Sequence, residues 1–191
     1  MTSDTICYKN GMNKTEFTKY CIANALFELL KVKDYHEISV KDIVTKAGFS
    51  RMSYYRNFNS LEETLHYFLD SQLDNLLETN KVFFEFKHIN HAISLLSLAL
   101  RDQKRREIDE VFVKQGLEHI IFENNRRQVL KHSPQNRLYA DLFISGGFNE
   151  IWYHWVRGGH KESPEEVINL LREQISNDLK VLFEEEQNSD K

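Results

Sequence analysis

A short segment of this chain, residues 39–58, gathers side chains of the kinds that bind nucleic acids. It contains Arg51, Ser53, Tyr55 and Asn57 within a single run of seven residues. Guanidinium, hydroxyl and amide groups are the donors and acceptors that proteins use on phosphates and base edges. These side chains predict sequence-specific binding of a nucleic acid rather than catalysis.

The eight histidines are the other residues that could do chemistry, as metal ligands. His88 and His91 are three apart, and His154 and His160 flank a glycine pair. A metal site needs three or four convergent ligands, and no cysteine lies near either pair. We therefore predict no metal. A phosphate-binding glycine loop, a nucleophile elbow and a two-cysteine metal pattern are also missing, so we predict no cofactor and no enzyme activity.

Two short helices position the candidate nucleic-acid segment. Ser39 is suited to cap the first, because its hydroxyl can accept from free backbone N–H groups of the opening turn. Gly48 supplies the positive φ that ends this helix, and Ser50 caps the second. Apolar residues fall at helical spacing on both, and they are Val40, Ile43, Val44, Ala47, Tyr54 and Phe58. The pattern predicts a helix-turn-helix.

The outward face of the second helix is then the candidate DNA-reading surface. Arg51 is suited to guanine O6 and N7, and Met52 to a thymine methyl group. Ser39 and Lys41, at the start of the preceding helix, are expected to hold flanking phosphates. The alternative is an ordinary solvent-exposed helix with polar residues. We favour the DNA-reading surface because the two helix caps, the glycine turn and the polar outward face all occur together here. The full set of predicted DNA-binding residues is Ser39, Lys41, Ser50, Arg51, Met52, Ser53, Tyr55, Arg56 and Asn57.

Residues 43–58, followed by 60–65, resemble the DNA-binding domain of TetR-family transcriptional regulators. The resemblance covers residues 14–66 and rests on Ala-Gly-x-Ser and Tyr-x-x-Phe. It implies an all-α homodimer with an N-terminal DNA-reading domain and a C-terminal ligand-sensing domain, with Tyr55 and Asn57 at positions that contact the DNA backbone. One departure is Leu61, which stands where the family usually has a lysine aimed at a phosphate.

Capping boxes predict where three further helices begin. A side-chain acceptor is followed three residues later by a glutamate at Asn13 and Glu16, at Ser60 and Glu63, and at Ser163 and Glu166, where Pro164 also suits the first helical position. Cys21 falls in an apolar row of the first of these helices and is expected to be a core residue. The charged residues 101–106 are expected to form a break between two later helices.

The whole chain is predicted to divide into an arm and two helical domains. We predict a flexible arm at residues 1–12, a three-helix helix-turn-helix domain at 13–60, and a helical effector-binding and dimerisation domain at 61–191. Residues 1–60 hold nine Lys and Arg against six Asp and Glu, a net of +3 in a chain of net −4, which leaves −7 for the remainder. A basic head on an acidic body favours nucleic-acid contact at one end.

The last two predicted helices, residues 138–157 and the segment after Ser163, are expected to pair with a second copy in a four-helix bundle. Residues 147–166 also resemble, more loosely, the C-terminal region of the TetR subgroup that includes the dihydroxyacetone kinase regulator. Aromatic residues are mostly core, but some are expected to line an apolar effector pocket. The candidates are Phe86, Phe112, Phe143 and Trp152.

The composition agrees with a protein of the cytoplasm. Two cysteines cannot form a disulfide framework, and no apolar run is long enough to cross a bilayer. The sequence thus predicts a homodimeric repressor that binds double-stranded DNA at a near-palindromic operator and is released by a small molecule. The alternative is an activator or co-regulator whose C-terminal half docks a partner protein. A metal-sensing regulator, an enzyme and a protein-binding helical scaffold are the remaining rivals.

Overall fold

We describe the chain from a computed structural model, which covers residues 12–80 and 89–175. Nearly all of the predicted arm (residues 1–12), as well as Phe86 of the predicted pocket, lies outside these ranges. The described residues contain helices and no strand, which confirms the all-α class. They form two compact units that divide within the fourth helix, after Asn75.

The helices are α1 (Lys14–Leu30), α2 (Val40–Ala47), α3 (Arg51–Asn57), α4 (Leu61–Asn80), α5 (Ile89–Arg101), α6 (Gln103–Lys114), α7 (Glu118–His132), α8 (Leu138–Arg157) and α9 (Pro164–Leu170). Helix α9 passes into a π-helical turn at Leu171–Ile175. Single 3₁₀ turns lie at Tyr35–Glu37 and Gln135–Arg137.

Polar caps begin the helices of the first unit. Asn13 accepts from the N–H of Glu16, and the Glu16 carboxylate accepts from the N–H of Asn13, both at 3.0 Å. This confirms the predicted capping box of α1. The box predicted at Ser60 is only half formed. Ser60 caps α4 by accepting from the N–H of Glu63, but the Glu63 carboxylate turns to the backbone and side-chain N–H groups of Asn59 instead.

The core of the first unit lies between α1, α2 and the first turns of α4. The side chains there that are less than 2% exposed include Ile22, Leu26, Leu30, Ile43, Leu65 and Phe68. The rings of Phe27 and Phe68 stack with their centroids 4.5 Å apart, which fixes α4 on α1. Cys21 is 7% exposed, so its predicted core role is confirmed, and burial raises the pKa of its thiol.

The second unit contains α5 to α9. The sequence predicted a charged break from Arg101 to Arg106, but only Asp102 interrupts the helices. The side chain of Asp102 accepts from the N–H of Arg105 at 2.6 Å, so α6 restarts at once and the charged residues form its first turn. The predicted span of α8 and the predicted cap of α9, in which Ser163 and Glu166 form a capping box ahead of Pro164, are confirmed.

Candidate nucleic-acid interface

The turn between α2 and α3 has the backbone geometry that the sequence predicted. Ser39 and Ser50 are extended N-caps, with hydroxyls that accept from the N–H groups of Asp42 and Ser53. Gly48 has φ +75° and ψ +27°, in the left-handed region, and an added Cβ would meet no atom within 4 Å. A side chain at this position would therefore be disfavoured by backbone conformation alone.

Helix α3 presents one buried side and one exposed side. Tyr54 is 1% exposed, and Phe58, the C-cap residue of α3, is 2% exposed. On the other side Met52 is 62% and Tyr55 is 61% exposed. Helix α3 thus exposes apolar surface to water, and exposed apolar surface is typical of an interaction site.

Helices α2 and α3 also carry exposed cations. These are Arg51 and Arg56 of α3, and Lys41 and Lys46 of α2. None of the four has an ion pair with another described residue. Their charges are available to phosphates, and Lys46 is a cation of this surface that was not among the sequence candidates.

Two of the candidate polar residues on α3 are partly engaged within the helix. The Ser53 hydroxyl lies 3.0 Å from the Ser50 hydroxyl, and the Asn57 side-chain N–H₂ donates to the Ser53 carbonyl at 2.7 Å. Both residues are half-buried. The side-chain oxygen and the second N–H of Asn57 are left for a ligand.

Ser39 has less freedom at the start of α2. Its hydroxyl donates to the Asp42 carboxylate at 2.8 Å, and its backbone N–H donates to the same oxygen at 2.9 Å. Lys33 also donates to this oxygen at 3.0 Å. These bonds hold the pKa of Asp42 well below its usual range, and those from Ser39 have the largest effect. Because the hydroxyl proton of Ser39 is already engaged, its phosphate contact stays a prediction, and Lys41 is the better-placed donor.

A buried hydrogen bond that the sequence analysis missed joins α3 to α4. The Tyr54 hydroxyl lies 3.0 Å from the Thr64 hydroxyl oxygen, and Thr64 donates in turn to the Ser60 carbonyl at 2.9 Å. Thr64 is fully buried. A sequence signal existed, because a buried tyrosine needs a partner for its hydroxyl, but nothing in the spacing singled out Thr64.

Of the predicted effector-pocket residues, Phe112 and Trp152 are buried, whereas Phe143 is exposed. Phe112 and Trp152 are buried in the second unit, with exposures of 0% and 6%. The Trp152 indole N–H donates to Asp109 at 2.7 Å, and Arg105 donates to the same carboxylate at 2.8 Å. Phe143 is 66% exposed on α8, away from any such enclosure. An effector site formed by these residues stays a prediction.

A cleft of about 470 Å³ lies between α8 and α9. Apolar side chains dominate it, with Glu150, His154 and Glu162 among its polar residues. Tyr139, at 86% exposure, and Phe143 lie four residues apart on α8, and Leu170 of α9 is 48% exposed. The α8–α9 region therefore carries more exposed apolar surface than a solvated helix pair requires.

Metal and membrane sites have no counterpart in the described residues. Over residues 12–80 and 89–175, no group of three or more His, Cys, Asp or Glu is arranged to hold a metal ion. His88 lies outside these ranges, and His160 lies 3.3 Å from Glu110 through its Nδ1 atom. Among the described helices none is long and apolar enough to span a bilayer.

Comparisons with known proteins agree with the helical architecture. Residues 74–177 match the family model described as "Transcriptional regulator C-terminal region", which belongs to the TetR group. The chain is 28% identical over 180 residues to the HTH-type dhaKLM operon transcriptional activator DhaS of Lactococcus lactis subsp. lactis (strain IL1403), covering 86% of this chain and 94% of that protein. A solved structure, the dihydroxyacetone kinase operon activator DhaS, has the same fold, with a TM-score of 0.57 at 19% identity over 86% of this chain and 97% of that chain. The chain belongs to the TetR family of transcriptional regulators.

Proposed function

We propose that this regulator binds operator DNA in a sequence-specific manner, with α3 in the major groove. The observation that carries the proposal is the α2–Gly48–α3 geometry, which leaves Arg51, Met52 and Tyr55 exposed on one short helix. Base edges in the major groove are read by side chains of this kind, and the exposed cations Lys41 and Lys46 of α2 and Arg56 of α3 are suited to the flanking phosphates.

The regulator acts as a homodimer in this proposal. Tyr139, Phe143 and Leu170 expose apolar surface on α8 and α9, which a second copy would cover. Two recognition helices related by a twofold axis would read half-sites about 34–36 Å apart, or a multiple of that spacing, in a near-palindromic operator.

Activation is the sign of regulation that we propose. The sequence alone favoured a repressor, but the relative in Lactococcus lactis is named as a transcriptional activator and aligns with 86% of this chain. In this proposal the bound dimer promotes transcription in the cytoplasm, and its second unit receives the signal from a small molecule or a partner protein. Repression released by a ligand is the second candidate, supported by the buried aromatic residues Phe112 and Trp152 of the second unit.

Selection from random duplex DNA with the purified chain tests the DNA-binding step. We expect a near-palindromic sequence to be enriched and to bind two chains, as measured by fluorescence anisotropy. Arg51→Ala should weaken this binding, whereas Arg127→Ala, which removes an exposed arginine from α7 of the second unit, should not. If no sequence is enriched, the proposal is wrong.

A reporter gene behind the enriched sequence tests the sign of regulation. Under the activator proposal, expression falls when the regulator is deleted and returns when it is restored. A rise in expression on deletion would instead establish repression.

A further inference from the structure

The Tyr54–Thr64 hydrogen bond is isolated from water on both sides. Tyr54 is 1% exposed and Thr64 is fully buried, so neither hydroxyl can exchange its partner for solvent. Thr64 uses its only proton on the Ser60 carbonyl, and Tyr54 must therefore be the donor of the 3.0 Å bond. Burial raises the pKa of Tyr54, so the hydroxyl keeps the proton that it donates.

This bond connects the recognition helix to the first turn of the next helix. Helix α3 has only seven residues, too few to be stable without tertiary contacts. Phe58, the C-cap residue of α3, contacts Tyr67 of α4 with ring centroids 5.6 Å apart. The hydrogen bond between Tyr54 and Thr64 adds a directional constraint that spans ten residues.

We infer that Tyr54 and Thr64 are positioning residues that set the orientation of α3 on α4 and thereby its fit to the operator. Neither side chain contacts DNA in this account. They act through the residues exposed on the opposite side of α3, such as Arg51 and Tyr55. Direct readout depends on the placement of a few donors against base edges, so a small rotation of α3 weakens specific binding more than phosphate binding. The inference rests on the proposed function.

Conservative substitutions separate this role from simple packing. Tyr54→Phe removes the donor and keeps the ring against Phe58, while Thr64 still donates to Ser60. Thr64→Val removes the acceptor and leaves the Tyr54 hydroxyl buried without a partner, which is the costlier state. The double variant removes both groups, and Thr64→Ser keeps the hydroxyl as the control.

The test compares two duplexes at one salt concentration, using the full chain at a temperature where circular dichroism confirms that every variant is folded. One duplex is the enriched operator and the other is a scrambled sequence. We expect Tyr54→Phe to lower operator affinity about three- to tenfold and to change scrambled-duplex affinity less than twofold. Thr64→Val should lose at least as much, the double variant no more than the worse single variant, and Thr64→Ser less than twofold.

Two results would overturn the inference alone. Operator affinities equal to wild type in both single variants would leave the bond with a purely structural role, even if the unfolding midpoint falls. Equal losses on operator and scrambled duplex would place the effect in general DNA affinity. A wild-type chain without sequence preference would overturn the proposed function itself, and the inference with it.

Discussion

Replacing Gly48 by alanine tests whether the turn between α2 and α3 requires a left-handed residue. With φ at +75°, a side chain costs about 1–2 kcal/mol because its Cβ approaches the following carbonyl oxygen. An added Cβ meets nothing within 4 Å, so no steric clash with the rest of the molecule adds to this cost. Alanine also restricts the unfolded chain, which returns about 0.4–1 kcal/mol. We expect a net loss of about 1 kcal/mol in the free energy of unfolding, on the scale of these two effects.

The two units offer separate spectroscopic probes for this measurement. Trp152 and Trp155 are the two tryptophans of the chain, and both are buried in the second unit. Tryptophan fluorescence therefore follows the second unit, and far-ultraviolet circular dichroism follows both. In denaturant titrations, Gly48→Ala should move the part of the circular dichroism transition that fluorescence does not report.

Gly116 provides the matched control. It has φ +69°, lies between α6 and α7, and also has open space around an added Cβ. Gly116→Ala should cost a similar free energy, about 1 kcal/mol, but move the fluorescence transition. Gly48→Asn should lose less than Gly48→Ala, because asparagine tolerates the left-handed region. If Gly48→Ala is as stable as wild type, or if asparagine is no better than alanine, the turn does not depend on backbone conformation as argued.

Three further substitutions test the charges of the head. Arg51→Ala should cost about 1–3 kcal/mol of operator affinity and relax preference at one base pair per half-site, as measured by binding to single-base operator variants; equal weakening on all sequences would make Arg51 a phosphate contact. Lys41→Ala should weaken binding to all duplexes evenly and flatten the slope of log affinity against log salt by about one unit per monomer. An unchanged slope would mean that Lys41 is not in the interface. Lys114→Ala in the second unit serves as the control. Asp42→Asn should destabilise the chain at pH 7. The pKa of Asp42 is lower in the folded state than in the unfolded state. Its stabilising contribution is therefore present above the unfolded-state pKa and is lost as pH falls through the folded-state pKa. Urea titrations should therefore show the wild-type advantage shrinking below about pH 4, near the ordinary pKa of an aspartate, and an advantage that does not change with pH would contradict this assignment.

Predictions that depend on neighbouring residues in the chain agree with the structure, except for the half-formed capping box at Ser60 and the break at residues 101–106. The caps at Asn13, Ser39, Ser50 and Ser163 and the left-handed Gly48 are all confirmed. Each is a bond or a backbone angle within a few residues, so the local sequence contains the information needed. The predicted break at residues 101–106 is too wide, because the single capping residue Asp102 is enough to begin α6 and the charged residues continue the helix.

Side-chain partners that are distant along the chain were not predicted from sequence. The Asp109 carboxylate, for example, accepts from the indole N–H of Trp152, which lies 43 residues away along the chain. Burial is the largest influence on Asp109 and raises its pKa, although Arg105 and Trp152 act to lower that pKa. Phe143 is one of the predicted pocket residues, yet its side chain on α8 is 66% exposed. Residue type fixed neither result, because both depend on which helices pack together.

The sequence by itself determined that this chain is helical, where helix α3 begins and ends, and which side of that helix faces outward. These properties follow from periodicity and from capping within one or two turns. Only the tertiary structure decided that Tyr54 is hydrogen-bonded to Thr64, that Trp152 is hydrogen-bonded to Asp109, and that Phe112 and Phe143 have opposite surroundings. The physical reason is that rotamers, packing and hydrogen-bond partners in a folded core are chosen by non-local contacts, which no local pattern specifies.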